Sequence, residues 1–326
     1  MKQEQELILN HKNSSVNATV LRIVSKNYLL IFLVLLIAIA SFLSSMFLTV
    51  NNLVNVLVQN SVISVLALGQ LLVIITAGID LSVGSVVAVA SVLSAQFLGS
   101  GMNPILVIVV VMLLMAVAGV GNGLAVAYGK ITPFVVTLAT LTIYRGLAYM
   151  FQVGSLIQID NDTFLGILAG SIGPIYSPLI ILLITLGVIL FVLRSTTFGR
   201  RLYAIGGNPE AARLSGASIN RDIIVAYALC GMLAGLAGLM TTARLGTGSA
   251  LYGQGYELDS IAAVVVGGAS LMGGKGSAVN TILGAFLIGI IRNILNLMGV
   301  PSYPQMVIQG LIILVAVLSV TVRRKK

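Results

Sequence analysis

The sequence predicts an all-α, polytopic transmembrane helical bundle of about ten spans, and three observations carry that expectation. Of its 326 residues 58% are hydrophobic and only 8% charged, with a mean hydropathy of +1.09, whereas soluble domains carry roughly 25% charged residues. Residues 27–79 and 81–129, runs of 53 and 49, contain no Lys, Arg, Asp or Glu, and about 20 apolar residues already cross a bilayer. The basic residues, finally, recur at intervals that fit one side of a membrane.

Taken in order, residues 1–27 form a polar tail with Lys2, Lys12, Arg22 and Lys26. Ala38-Ile39-Ala40 resembles a signal-peptide cleavage site, but the apolar run continues to Phe47, which favours a retained first span. Turn residues, charges and Gly/Pro breaks then divide the chain into spans near 28–47, 53–77, 82–98, 104–127, 133–152, 175–193, 222–241, 258–273, 277–297 and 304–321. With the N-terminus inside, 15 of the 18 basic residues fall on the inner side; Arg145 and Arg292 lie within spans and Arg244 outside. An even number of spans places both termini in the cytoplasm. The expected organisation is a tail (1–27), a membrane domain (28–321) with an internal loop at 194–222, and a basic C-terminus (322–326).

This charge distribution accounts for the net charge of +9 without nucleic acid. The one histidine, His11, lies in the tail, which leaves no His-based catalytic pair and no His cluster for a metal. Cys230 sits in an apolar stretch and reads as a small core residue.

Two pairs of short matches suggest an inverted repeat. Gly78-Ile79-Asp80-Leu81 opens the third span and Gly255-Tyr256-Glu257-Leu258 the eighth. Asn122-x-Leu124 precedes Pro133 by 11 residues, as Asn293-x-Leu295 precedes Pro304. On the counted orientation the matching spans run in opposite directions, an arrangement that puts a transport pathway at the repeat interface.

Asp80 is the most isolated charge. Next to Gly78 and Ser82 it reads as a helix-capping turn, with a place in a substrate path as the alternative. Glu257 and Asp259 admit the same capping account. Arg145 and Arg292 have no acid close in sequence, so each must face protein, water or backbone carbonyls, and Arg145 could also meet a polar ligand. Gln70, Asn60, Asn122, Thr137, Thr140, Asn280, Asn293 and Asn296 are mild hydrogen-bonding groups that suit a neutral, hydroxyl-rich solute such as a sugar; they also glue helices together. The candidate path residues are Gln70, Asp80, Ser82, Asn122, Thr140, Arg145 and Asn293. Gly119-x-x-x-Gly123 and Gly231-x-x-x-Gly235 read as seams for close helix packing.

In the internal loop, Asn208, Pro209, Glu210, Ala211, Arg213 and Gly216 spell a short capped helix suited to docking on a cytoplasmic partner. Gly267 to Ser277 is Gly-rich and contains Lys275, but Ala269 stands where a phosphate loop needs its first glycine and Gly276 follows the lysine. It reads as a tight turn. No acid lies at mid-span to serve as a proton relay, which disfavours a self-sufficient secondary carrier or channel. No nucleophile and base pair marks an intramembrane enzyme either. Any ATP must therefore bind another subunit.

Three segments, in order, resemble a known family: Gly78-Ile79-Asp80-Leu81-Ser82-Val83-Gly84; Thr197-Phe198-Gly199-Arg200 leading into Ala204 to Gly216; and Gly255 to Gly268 continuing to Gly273-Gly274-Lys275-Gly276. They are similar to the permeases of bacterial ATP-binding-cassette importers for ribose and related monosaccharides, over roughly residues 28–320. The resemblance implies an inner-membrane transport subunit that is not itself an enzyme. It implies a second permease copy or a paired similar permease, a cytoplasmic ATPase holding ATP and Mg, and an extracytoplasmic sugar-binding protein that docks on outer loops including Asp160 and Asp162. It makes Asn208, Glu210, Ala211, Arg213 and Gly216 the coupling helix. The solute it implies is a monosaccharide, ribose-like, with other pentoses or hexoses, an autoinducer or a nucleoside as alternatives.

Overall fold

A computed structural model of the chain describes residues 28–152 and 154–323. The tail 1–27 and Arg324, Lys325 and Lys326 of the basic C-terminus lie outside the described residues. The helices in chain order are α1 (Tyr28–Leu43), α2 (Val50–Ile75), α3 (Val83–Gly99), α4 (Pro104–Ala127), α5 (Pro133–Phe151), α6 (Asp162–Ala169), α7 (Ser177–Ser195), α8 (Thr197–Gly207), α9 (Pro209–Leu214), α10 (Ile219–Leu245), α11 (Tyr256–Val266), α12 (Ala278–Leu297) and α13 (Ser302–Arg323). Two antiparallel pairs of two-residue strands accompany them: β1 (Ile157–Gln158) with β4 (Thr247–Gly248), and β2 (Ser171–Ile172) with β3 (Ile175–Tyr176).

Starts follow local chemistry. Pro104, Pro133, Pro178 and Pro209 occupy first-turn positions, where their missing N–H costs nothing. Asn103, Asn161, Thr196 and Asn208 accept hydrogen bonds from N–H groups of the turns they precede.

Among the described residues six helices, α2, α4, α5, α7, α10 and α12, are long and apolar enough to cross a membrane, and α1 and α3 are shorter apolar helices of 16 and 17 residues. The chain is a multi-pass membrane protein. Helices α1 to α5, α7, α10, α12 and α13 match the predicted spans to within a few residues. The eighth, expected at 258–273, differs: α11 is an 11-residue helix that ends at Val266. At about 1.5 Å per residue it reaches only about half way across a hydrocarbon layer of ~30 Å. The reason is the Gly267-Gly268 stop, with Gly268 at φ 86°, followed by the turn to Ser277.

The core is formed by α2, α3 and α10. Every residue from Asn60 to Ile75 is buried, and so is every residue from Val83 to Val92. α4 lies along α10, and the two predicted glycine seams face each other there. A methyl on Gly119 would fall 2.1 Å from the Tyr227 carbonyl oxygen, and one on Gly231 2.3 Å from that of Met115. The backbones therefore touch directly, which is how helices gain dispersion contact where lipid offers no hydrophobic drive. α1 packs on α12 at the edge, around the small cluster Ala40, Phe47, Val56, Ile290 and Ile294.

The loop at 194–222 is mostly helix, because α8 precedes the expected short helix α9. The side chain of Arg201 on α8 grips buried Asp222 at the start of α10 with two bonds, Nε to Oδ2 at 2.7 Å and Nη2 to Oδ1 at 2.9 Å. This fork ties the two ends of the segment together.

Candidate functional site

Two non-helical segments adjoin the matched motifs: the first contains Gly78-Ile79-Asp80-Leu81 and the second ends at Gly255, where Gly255-Tyr256-Glu257-Leu258 starts. The first runs from Thr76 to Ser82 between α2 and α3. Ala77 takes φ 64°, a left-handed conformation unusual for a residue with a side chain. A buried backbone N–H or C=O left without a partner costs free energy, so non-helical backbone this enclosed needs partners from the protein around it. Here side chains supply them. With its amide oxygen and nitrogen exchanged, the orientation that satisfies both, Gln70 on α2 clamps the Asp80 main chain, donating to its carbonyl and accepting from its N–H, both at 3.1 Å. The Ile79 carbonyl faces the Thr137 hydroxyl at 3.1 Å and the Tyr227 hydroxyl at 3.5 Å. The Asp80 carboxylate accepts from the Ser82 N–H (2.9 Å) and hydroxyl (2.6 Å), and the Asn122 amide donates to the Ser82 oxygen at 2.9 Å.

Gln70, Asp80, Ser82 and Asn122, four of the predicted path residues, thus form one cluster, each at most 1% exposed. The capping expectation is modified: Asp80 closes a turn onto Ser82, itself already in helical conformation and giving no side-chain cap, rather than capping deeper N–H groups of α3.

The second interruption runs from Gly246 to Gly255 and leads into α11. It lies antiparallel along α3: methyls on Gly248 and Gly253 would strike Ala95 and Val87 respectively, and one on Gly84 would fall 2.1 Å from Glu257 Oε2. Its polar groups are also met by side chains. The Ser249 N–H donates to the Ser91 hydroxyl oxygen (3.1 Å) and the Ala250 N–H to Gln152 Oε1 (2.6 Å). Nη1 of Arg145, half-buried on α5, donates to the carbonyls of Ala250 (2.5 Å) and Tyr252 (2.9 Å). Of the options for Arg145, the structure thus places it on backbone carbonyls.

Arg292, the other intramembrane cation, has an acidic partner that spacing along the chain conceals. It donates to Asp259 Oδ1 at 2.7 Å and to Gln309 Oε1 at 3.0 Å, and the Gln309 amide also donates to Asp259. The capping account for Asp259 is therefore corrected: α11 has Gly255 at its N-cap with no side-chain bond, and Asp259 is drawn to the cation instead. Asn293 exchanges two amide bonds with Asn52 (2.7 and 3.0 Å), and Thr140 bonds carbonyls of its own helix.

The short helix forms as expected. Asn208 Oδ1 accepts from the Ala211 N–H at 3.1 Å, Arg213 pairs with Glu210 at 2.9 Å, and Gly216 at φ 84° turns the chain away. Both ion-pair partners are exposed, at 65% and 73%, which frees them for another surface. Tyr227, Ser91, Gln152 and Gln309 were not singled out from the sequence. Tyr227, Ser91 and Gln152 act on partners 98 or more residues away, and Gln309 on partners 17 and 50 residues away on other helices, which local pattern does not encode.

This architecture, a membrane bundle with paired helix breaks and a capped helix outside it, is that of a transport permease. Residues 52–317 match the family described as branched-chain amino acid transport system / permease component, and the chain belongs to that family. It is 42% identical to the ribose import permease protein of Haemophilus influenzae over 312 residues, covering 94% of this chain and 97% of the relative. It is 43% identical to the Escherichia coli K12 ribose import permease protein, covering 89% and 91%, and 36% identical to the D-allose transport system permease protein of E. coli K12, covering 88% and 89%. No solved structure gives a significant match.

Proposed function

We propose that this chain is the membrane permease subunit of an ATP-binding-cassette importer and moves ribose or a closely similar monosaccharide inward. The observation that carries this reading is the identity of 42–43% with ribose import permeases along about nine-tenths of the chain. The interior supports it. Arg292 is paired with Asp259, Arg145 is held by carbonyls and Asp80 by Ser82, which suits passage of a neutral solute.

In this reading the chain crosses the membrane about ten times with both termini in the cytoplasm, and α11 with the segment before it counts as one crossing. Two copies, or this chain and a similar permease, line the path. Arg145 stands half-exposed on α5, and a cation at that depth faces protein or water rather than lipid, which supports a second copy there. A binding protein delivers the sugar to outer loops near Asp160 and Asp162. A separate ATPase holds ATP and Mg and receives α9. The candidate path residues Gln70, Asp80, Ser82, Asn122, Thr140 and Asn293 then act by setting helix positions around the path, with sugar contact left to groups nearer its surface.

Uptake by the importer reconstituted from this chain with its ATPase and binding protein tests the solute. Unlabelled ribose is expected to compete with labelled ribose at least about tenfold better than allose does, a difference of ~1.4 kcal/mol. Equal competition by allose would move the assignment to a broader hexose and pentose carrier; no competition by either would reject it. For the coupling helix, Arg213→Glu reverses the charge that meets the partner and is expected to remove ATPase association and uptake while leaving membrane insertion intact. Normal association would refute that placement.

A further inference from the structure

Three backbone segments meet at the C-terminal end of α2 with no side chain between them. Gly206 is the penultimate residue of α8, and a methyl there would lie 1.8 Å from the Ile75 carbonyl oxygen and 2.4 Å from the Gly274 nitrogen. The Gly274 N–H donates to that same Ile75 oxygen at 2.9 Å. Gly273, at φ 80°, lies against Gly206 and Ala77 so closely that its own methyl would be 2.8 Å from the backbone of each. The Tyr203 hydroxyl, one turn back on α8, donates to the Gly276 carbonyl at 3.0 Å. Glycine-rich sequence that fails as a phosphate loop is thus used for backbone contact.

What this junction connects gives it a function. Gly206 stands two residues before the Asn208 cap of α9, and Ile75 stands five residues before Asp80. The Arg201–Asp222 fork restrains the rear of α8. Packed backbone has no flexible side chain to absorb a displacement, and close-packed interiors transmit strain. We propose that Gly206, Gly273 and Gly274 are positioning residues that carry movement of α9 to the Asp80 helix break, and so link ATP hydrolysis to opening of the path. This rests on the reading of α9 as the coupling helix.

The test is sugar transported per ATP hydrolysed by the complete importer in proteoliposomes. Gly206→Ala is expected to keep ATPase association and hydrolysis while transport per ATP falls about tenfold, within the usual range of coupling energies. Gly207→Ala is the control, since a methyl there meets no atom within 4 Å, and is expected to keep wild-type coupling. Tyr203→Phe removes one hydrogen bond without adding bulk and is expected to lower transport per ATP about threefold to fivefold. If Gly206→Ala fails to assemble, Tyr203→Phe decides: an unchanged ratio overturns the proposal. An assembled Gly206→Ala importer with a wild-type ratio, or Gly207→Ala equally uncoupled, also overturns it. Absence of ATP-driven uptake by the wild-type importer would instead reject the proposed function.

Discussion

Arg145→Met is expected to lower stability by about 3–6 kcal/mol, since two hydrogen bonds from a charged group to buried carbonyls are lost at roughly 1.5–3 kcal/mol each. Both bonds leave the same nitrogen, Nη1, and both end on the segment between Gly246 and Gly255. That segment has no helix or sheet ladder of its own beyond its two-residue pairing with β1. Without Arg145 the Ala250 and Tyr252 carbonyls face hydrocarbon or draw in water, the N-terminus of α11 loses its fixed position against Gly84, and uptake is lost. Thermal unfolding in detergent, read beside transport, checks this. Arg145→Lys keeps a charge and a donor and is expected to recover only part of the stability, because a more strongly hydrated ammonium on a flexible stem does not hold a donor where Nη1 stands. A methionine variant that melts with the wild type would show that the segment holds itself.

Asp259→Leu and Arg292→Leu are each expected to cost about 3–5 kcal/mol, because each leaves an uncompensated charge within the membrane. The Asp259 side chain is 3% exposed and that of Arg292 30%. The double replacement is expected to recover most of the loss, since exchanging a buried pair for apolar residues is often neutral or stabilising. A double-mutant cycle by thermal denaturation measures the coupling, and additive losses would mean that Gln309 or a neighbouring chain, not the ion pair, neutralises the groups.

The limits of the sequence are physical. Gly119, Gly123, Gly231 and Gly235 declared a helix contact because four-residue spacing puts them on one face, and the contact exists. Asn208 and Pro209 declared a helix start because capping is local. α11 is shorter than its hydropathy suggests, because Ala269, Leu271 and Met272 beyond Gly268 are as apolar as a helix continuing through a membrane, and hydropathy does not register the glycine stop. The partner of Arg292 lies 33 residues upstream on another helix, a separation with no periodic signature. Polarity drew attention to Gln70 and Asn122, but a polar group that faces a path and one that satisfies a helix break read alike in sequence. Burial separates them, and burial belongs to the fold.

The most direct test of the central claim, that this chain is a passage worked by another subunit's ATP, is accumulation of labelled ribose in proteoliposomes with and without the partners. The chain with its ATPase, binding protein and ATP is expected to concentrate the sugar, while the chain alone, with or without a proton gradient, is not. Concentrative, proton-driven uptake by the chain alone would contradict the account.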